Sequence, residues 1–195
     1  MAKKLEGKFR LGFALDMHVL YSKPIDLENK IFDTQRSEIG QLVYEIKYKD
    51  LETRDKWDII ENLAQKSINF LQNMYFTKYI DVIVPVPPNK KRDIQHVIEI
   101  AKIISDELDI DIDERFIEKT RDIVQIKDIE DKREKEKILN GVYKLKDPIR
   151  HRNKNILLFD DIYDTGATCE VISTLLYNEG KVKDVYILTL TKTKR

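Results

Sequence analysis

Two adjacent carboxylates, Asp160 and Asp161, close an apolar run in the stretch "NILLFDDIYDTGAT" (Asn155–Thr168). Such a run reads as a buried strand. In open α/β sheets, ligands bind beyond the carboxyl ends of the strands. Both acids are therefore expected at a solvent-facing strand end. The loop Ile162–Ala167 then leads into a helix beginning at Thr168. Small residues there let backbone N–H groups approach an anion, and the helix dipole favours negative charge at that spot. Thr165 and Thr168 add hydroxyl donors. The loop suits a phosphate. The paired acids suit ribose hydroxyls, or a Mg²⁺ that carries a second phosphate group. Together these parts describe a phosphorylated sugar with a metal-bound diphosphate.

Other chemistries find little support. The six glycines, at 7, 12, 40, 141, 166 and 180, make neither a Walker A loop nor a GxGxxG fingerprint. The single Cys169 forms no internal disulfide and leaves no Cys-rich zinc cluster. With no paired His or second Cys in view, it reads as packing. His96 follows Gln95 on a helix and reads as structural or solvent-facing. His18 and His151 attract no role. No Ser/His/Asp or Cys/His constellation is visible.

The bulk numbers bound the setting. A chain of 195 residues suits one domain and buries a sizeable core. Apolar content of 42% with 36% charged residues excludes a disordered chain. Thirty-five basic and 35 acidic residues cancel, so bulk charge gives no argument for nucleic acid or anionic membrane. No apolar run approaches the ~20 residues of a membrane span. The start "MAKKLEGKFRLGFAL" lacks the apolar core of a secretion signal, and the expected location is the cytoplasm.

Several elements must position the acids. Gly12–Ile25 mixes β-branched and aromatic residues and predicts a strand or hairpin. Ser37–Lys49 reads as a helix with Ser37 as N-cap and Ile39, Leu42, Val43 and Ile46 on one stripe. Asp55–Phe76 is a longer amphipathic helix. Tyr79–Pro87 is an apolar run ended by prolines, the pattern of a strand buried on both faces. Asp93–Leu108 is a helix, and Phe116–Lys119 a short strand. Thr168–Asn178 is a helix closed by Gly180, and Asp184–Leu190 a third buried strand. Strand and helix alternate from Val82 onward, which predicts an α/β fold: a parallel sheet with helices on both faces.

The segment Ile156–Thr168 resembles the phosphoribosyl-diphosphate (PRPP) motif of type I phosphoribosyltransferases. It has four apolar residues, two acids, two apolar residues and a small hydroxyl-and-glycine loop. Tyr163 stands where that family usually has an aliphatic. The chain from Gly12 onward resembles the ComF branch of predicted amidophosphoribosyltransferases. "IVPVPPNKKRDIQHVIEIAK" is similar to the branch's first strand, loop and helix. "QIKDIEDKREKEKILNGVYKL" is similar to its Gln-containing charged loop, and "RSEIGQLVYEIKYKD" to its amino-terminal helix ending in Lys-Tyr. The cysteine-rich zinc module with which ComF proteins often start is absent.

The resemblance implies a division into an amino-terminal hood with its helices (1–78) and a PRPP-binding core (79–195) carrying a flap near 120–137. Asp160 and Asp161 would bind the ribose hydroxyls, and a Mg²⁺ directly or through PRPP. Asp164, Thr165, Gly166, Ala167 and Thr168 would hold the 5′-phosphate. Asp164 would either accept a proton from the acceptor or cap the following helix. The loop Pro87–Arg92 offers Lys91 and Arg92 to the diphosphate, with Lys90 less favoured. Thr120–Lys137 would close over the substrates and exclude water, with Arg121, Gln125, Lys127 and Arg133 reaching the site. The implied reaction is displacement of diphosphate from ribose C1 of PRPP by a nitrogen acceptor, with Mg²⁺ as cofactor. The implied assembly allows a homodimer and a protein partner in the competence machinery. Two other readings stand beside it: a non-catalytic module sensing PRPP or a nucleotide, and a DNA-uptake accessory acting through protein contacts.

Overall fold

The computed structural model describes residues 2–194 apart from 27, 28, 30, 91, 122–128 and 130. In chain order, strands β1 (Lys3–Lys4), β2 (Leu11–Met17), β3 (Val19–Asp26) and β4 (Ile31–Arg36) precede helices α1 (Glu38–Tyr48) and α2 (Thr53–Gln72). Then follow β5 (Val82–Pro85), α3 (His96–Leu108), β6 (Asp111–Ile112), β7 (Ile117–Lys119), α4 (Lys132–Leu139) and β8 (Tyr143–Leu145). The chain ends with β9 (Asn155–Tyr163), α5 (Ala167–Asn178) and β10 (Asp184–Lys192).

Among the described residues, a six-stranded sheet runs β1-β2-β10-β9-β5-β6. Only the short β1 is antiparallel to its neighbour; the other pairs are parallel. The expected α/β fold is therefore present. Side chains alternate across each strand, and each face has its own core. Leu157, Phe159, Tyr186 and Leu188 pack toward α1, α2 and α3. Ile156, Leu158, Val185 and Ile187 pack toward α4 and α5. Both faces are covered, which is why these strands read as continuous apolar runs rather than alternating ones.

Two elements differ from their sequence reading. The stretch Gly12–Ile25 divides at His18. Its first half is β2, which pairs with β10 inside the central sheet. Only its second half, β3, joins β4 in a separate hairpin. Residues 11–17 thus extend the core sheet although they precede position 78. The strand that carries the paired acids is also longer than its apolar run. It continues through Asp160–Tyr163 because β10 runs alongside, pairing Thr189 with Asp160 and Lys192 with Tyr163.

Helix α1 is fixed to the sheet at its start. Ser37 caps it, accepting the Gly40 N–H at 2.9 Å while its own hydroxyl donates to the Met17 carbonyl at 2.5 Å. Such a cap contributes about 1 kcal/mol. A Cβ at Gly40 would stand 2.2 Å from the His18 carbonyl oxygen, so only glycine permits this approach. The segment expected as a flap contains α4, which packs on α5 through the buried Leu139. Gln125 and Lys127 lie outside the described residues.

Candidate functional site

A cavity of about 470 Å³ opens at the carboxyl ends of β5 and β9. That size falls within the range of small-molecule sites. Its wall includes Asp160, Asp161 and the whole turn Asp164–Thr168, so the predicted phosphate loop and both acids meet in one place.

The two acids are neighbours in sequence yet point to opposite faces of β9, as strand alternation requires. Asp161 turns toward α1 and α3. Its Oδ2 accepts from Lys47 Nζ at 2.8 Å and lies 2.8 Å from His96 Nε2. It is buried, not solvent-facing as the sequence reading expects. Burial alone would push its carboxyl up; the Lys47 charge and the His96 hydrogen bond outweigh that and hold it well below the usual range. Lys47 responds in the opposite sense. Burial lowers its pKa, but the Asp161 charge and hydrogen bond win and raise it. Asp161 is therefore an anchored carboxylate, ionised at neutral pH and joining α1, α3 and β9.

Asp160 turns the other way, toward Tyr143 and Cys169, whose pKa values its charge helps to raise. Its Oδ1 accepts the Asp161 N–H at 2.8 Å. Burial, and then the charge of Asp161, push its carboxyl up to about 7. Two like charges this close resist joint ionisation. Asp160 is thus the half-buried carboxyl at the cavity, able to gain from a hydroxyl or a cation.

The turn after β9 is shaped by glycine. Gly166 adopts φ +81° and is the N-cap of α5. A Cβ there would stand 2.1 Å from the Tyr163 hydroxyl. Tyr163 is buried, and its hydroxyl donates to the Glu6 carbonyl at 2.8 Å, which accounts for an aromatic in place of an aliphatic. No side chain caps α5. The Ala167 N–H reaches Thr165 Oγ1 only at 3.4 Å. The first N–H groups of a helix have no intrahelical acceptor, and here they border the cavity. Asp164 does not cap this helix. Its Oδ2 pairs with Lys135 Nζ at 2.5 Å and its Oδ1 accepts from the Thr193 hydroxyl at 2.9 Å.

The loop before α3 supplies cations. Lys90 and Arg92 line the cavity, and Lys91 lies outside the described residues. Arg121 and Arg133 are exposed and do not line it. Arg121 donates instead to the Ile138 carbonyl at 3.3 Å. From the same segment it is Lys135, on the buried side of α4, that reaches the site.

Four residues that the sequence reading assigns no role at the site line the cavity: Lys47, His96, Lys135 and His18. His96 is 3% exposed, and its Nδ1 has no partner among the described residues. His18 lines the cavity, with Nδ1 3.2 Å from the Thr191 hydroxyl. Burial, followed by the charges of Lys47 and Arg36, lowers its pKa. For the first three a signal existed. Lys47 continues the Ile39–Val43 stripe by one turn, His96 begins the stripe of Ile100 and Ile104, and Lys135 precedes buried Leu139 by four residues. A polar residue that extends a buried helical stripe is placed against the core. His151 pairs with Asp113 at 2.9 Å, and Cys169 is buried with its thiol pKa pushed up by burial.

A metal ion must be tested against these donors. Among the described residues no group of three or more His, Cys, Asp or Glu could hold one unaided. Mg²⁺ commonly uses one or two carboxylates plus substrate phosphate oxygens and water. Asp160 supplies one hard oxygen donor group, so the site fits a Mg²⁺ that arrives with a phosphorylated ligand. No helix among the described residues is long and apolar enough to cross a membrane.

No protein-family model matches the chain, and no curated protein matches it by sequence. Solved structures similar to it include adenine phosphoribosyltransferase from Leishmania tarentolae, at 9% identity and TM-score 0.49 over 100% of this chain and 95% of that one. A hypoxanthine phosphoribosyltransferase from Staphylococcus aureus is 18% identical with TM-score 0.42, over 68% of this chain and 62% of its own length. The adenine phosphoribosyltransferase of Trypanosoma brucei, in complex with AMP, pyrophosphate and ribose-5-phosphate, is 12% identical with TM-score 0.43, over 83% and 82%. Likeness at this distance assigns no activity to the chain, and the functional reading rests on the geometry of the cavity.

Proposed function

We propose that the chain binds PRPP with Mg²⁺ and transfers its phosphoribosyl group to a nitrogen acceptor. One observation carries this reading: a single cavity gathers the Asp160 carboxyl, the uncapped start of α5 and the cations Lys90 and Arg92. In this arrangement Asp160 accepts from the ribose hydroxyls. The amides and hydroxyls of Thr165–Thr168 hold the 5′-phosphate. Arg92 and Lys90 face the diphosphate, with Lys91 the neighbouring cation of the same loop. Asp161 does not touch the sugar; it keeps α1 and α3 in register with β9.

Displacement at ribose C1 builds positive charge on the sugar and negative charge on the leaving diphosphate. A bound Mg²⁺ offsets charge on the diphosphate. The chain's own contribution is positioning, cation stabilisation by the Lys90–Arg92 loop, and exclusion of water. No covalent nucleophile is required. The finer assignment, to a ComF-like branch, is supported by Lys47 and Tyr48, the Lys-Tyr end of α1, both lining the cavity.

The test is release of diphosphate from PRPP and Mg²⁺ across a panel of bases and amines. Release that depends on one nitrogen acceptor is expected. Saturable PRPP binding with no release across the panel would overturn the enzymatic reading in favour of a sensing module. A folded protein that binds no PRPP would overturn both.

A further inference from the structure

We propose that Lys135 is the cation that reads the ligand's phosphomonoester, and that it does so by exchanging Asp164 for the phosphate; this rests on the phosphoribosyl reading of the site. Lys135 is only 4% exposed, unusual for a lysine. Its stem runs along the buried side of α4, and its ammonium reaches the turn before α5, against Asp164 Oδ2. It lines the cavity beside Thr165–Thr168. A desolvated ammonium must keep an anionic partner, and in the structure that partner is Asp164.

A phosphate seated at the start of α5 changes the local balance. It brings up to two negative charges next to the Asp164 carboxylate, and like charges at this range disfavour each other. A cation that turns from the carboxylate to the phosphate offsets the added charge. The neighbouring cation on the same helix, Lys132, is engaged with Glu136 and Glu170, whose carboxylate also accepts the Lys8 N–H. Lys135 is the remaining described cation of α4 on the cavity wall. Asp164 tolerates the exchange because Thr193 still donates to its Oδ1. The arrangement therefore selects a phosphorylated sugar over the free sugar.

The experiment is calorimetric titration of ribose 5-phosphate, and separately of inorganic diphosphate with Mg²⁺, into the full chain and its variants. Lys135→Met is expected to weaken ribose 5-phosphate by about 10- to 100-fold, the span of a lost charge-assisted hydrogen bond. Diphosphate affinity should change by less than about threefold, since the loss is local. Asp164→Asn releases Lys135 and should tighten ribose 5-phosphate. Unchanged ribose 5-phosphate affinity in folded Lys135→Met overturns the inference alone. So does unchanged or weaker affinity in Asp164→Asn, the deciding variant if Lys135→Met does not fold. Wild-type protein that binds neither ribose 5-phosphate nor PRPP overturns this inference together with the reading beneath it.

Discussion

Replacing Lys47 by Met keeps the side-chain stem and deletes the charge that faces Asp161. The two groups lie 2.8 Å apart, with side chains 18% and 12% exposed. Removing one member of a buried pair strands the other, which typically costs 3–5 kcal/mol. His96 still approaches the same carboxylate at 2.8 Å, so the lower end applies, about 3 kcal/mol. For a chain of this size that lowers Tm by roughly 6–12 °C. The loss has a pH signature. Asp161 is held below its ordinary pKa, so the stability it contributes is complete above the unfolded value near ~4. It is lost as pH falls through the lower folded value. The deficit of Lys47→Met relative to wild type should therefore be full at neutral pH and shrink below about pH 4. Urea unfolding followed by circular dichroism at several pH values measures both quantities. A deficit under about 1 kcal/mol, the range of an exposed ion pair, would refute the burial argument. So would a deficit that is the same at acid and neutral pH.

The paired acids should separate in the same assay. Asp160→Asn removes a charge that burial and Asp161 already oppose, and should leave stability unchanged or slightly higher. Asp161→Asn strands Lys47 and should cost about 3 kcal/mol; equal effects of the two would contradict their opposite orientations. Binding of Mg²⁺ and PRPP should weaken on acidification. Asp160 has its carboxyl raised to about 7, so it gains a proton as pH falls through that value. Affinity measured by calorimetry should drop about tenfold per pH unit well below it, and a flat profile between mildly acid and mildly alkaline pH would exclude Asp160 as the titrating contact.

Much of the sheet was legible because burial on both faces writes itself as apolar runs. Asn155–Phe159 and Asp184–Leu190 could be read as strands with no knowledge of their neighbours. Their ends could not, since β9 continues into polar residues only because β10 lies beside it. The phosphate turn was legible as well, because Gly166 and its small neighbours serve a local backbone need. The split roles of Asp160 and Asp161 were hidden. Alternation puts them on opposite faces, but which face holds cations depends on where α1 and α3 dock. Lys47 is 114 positions from Asp161 and 49 from His96, and no local pattern joins them. Arg133 stands among the cations expected of the flap and Lys135 does not, because charge is visible in the sequence whereas the side of α4 that meets α5 is not.

The most direct test of the central claim is a calorimetric titration of PRPP into the wild-type chain and Asp160→Asn, with and without Mg²⁺. The account expects saturable one-site binding to wild type that strengthens with Mg²⁺. It expects at least a ~10-fold loss in a folded Asp160→Asn variant, the scale of one charge-assisted contact. No binding to folded wild type, or equal affinity in the two proteins, would contradict it.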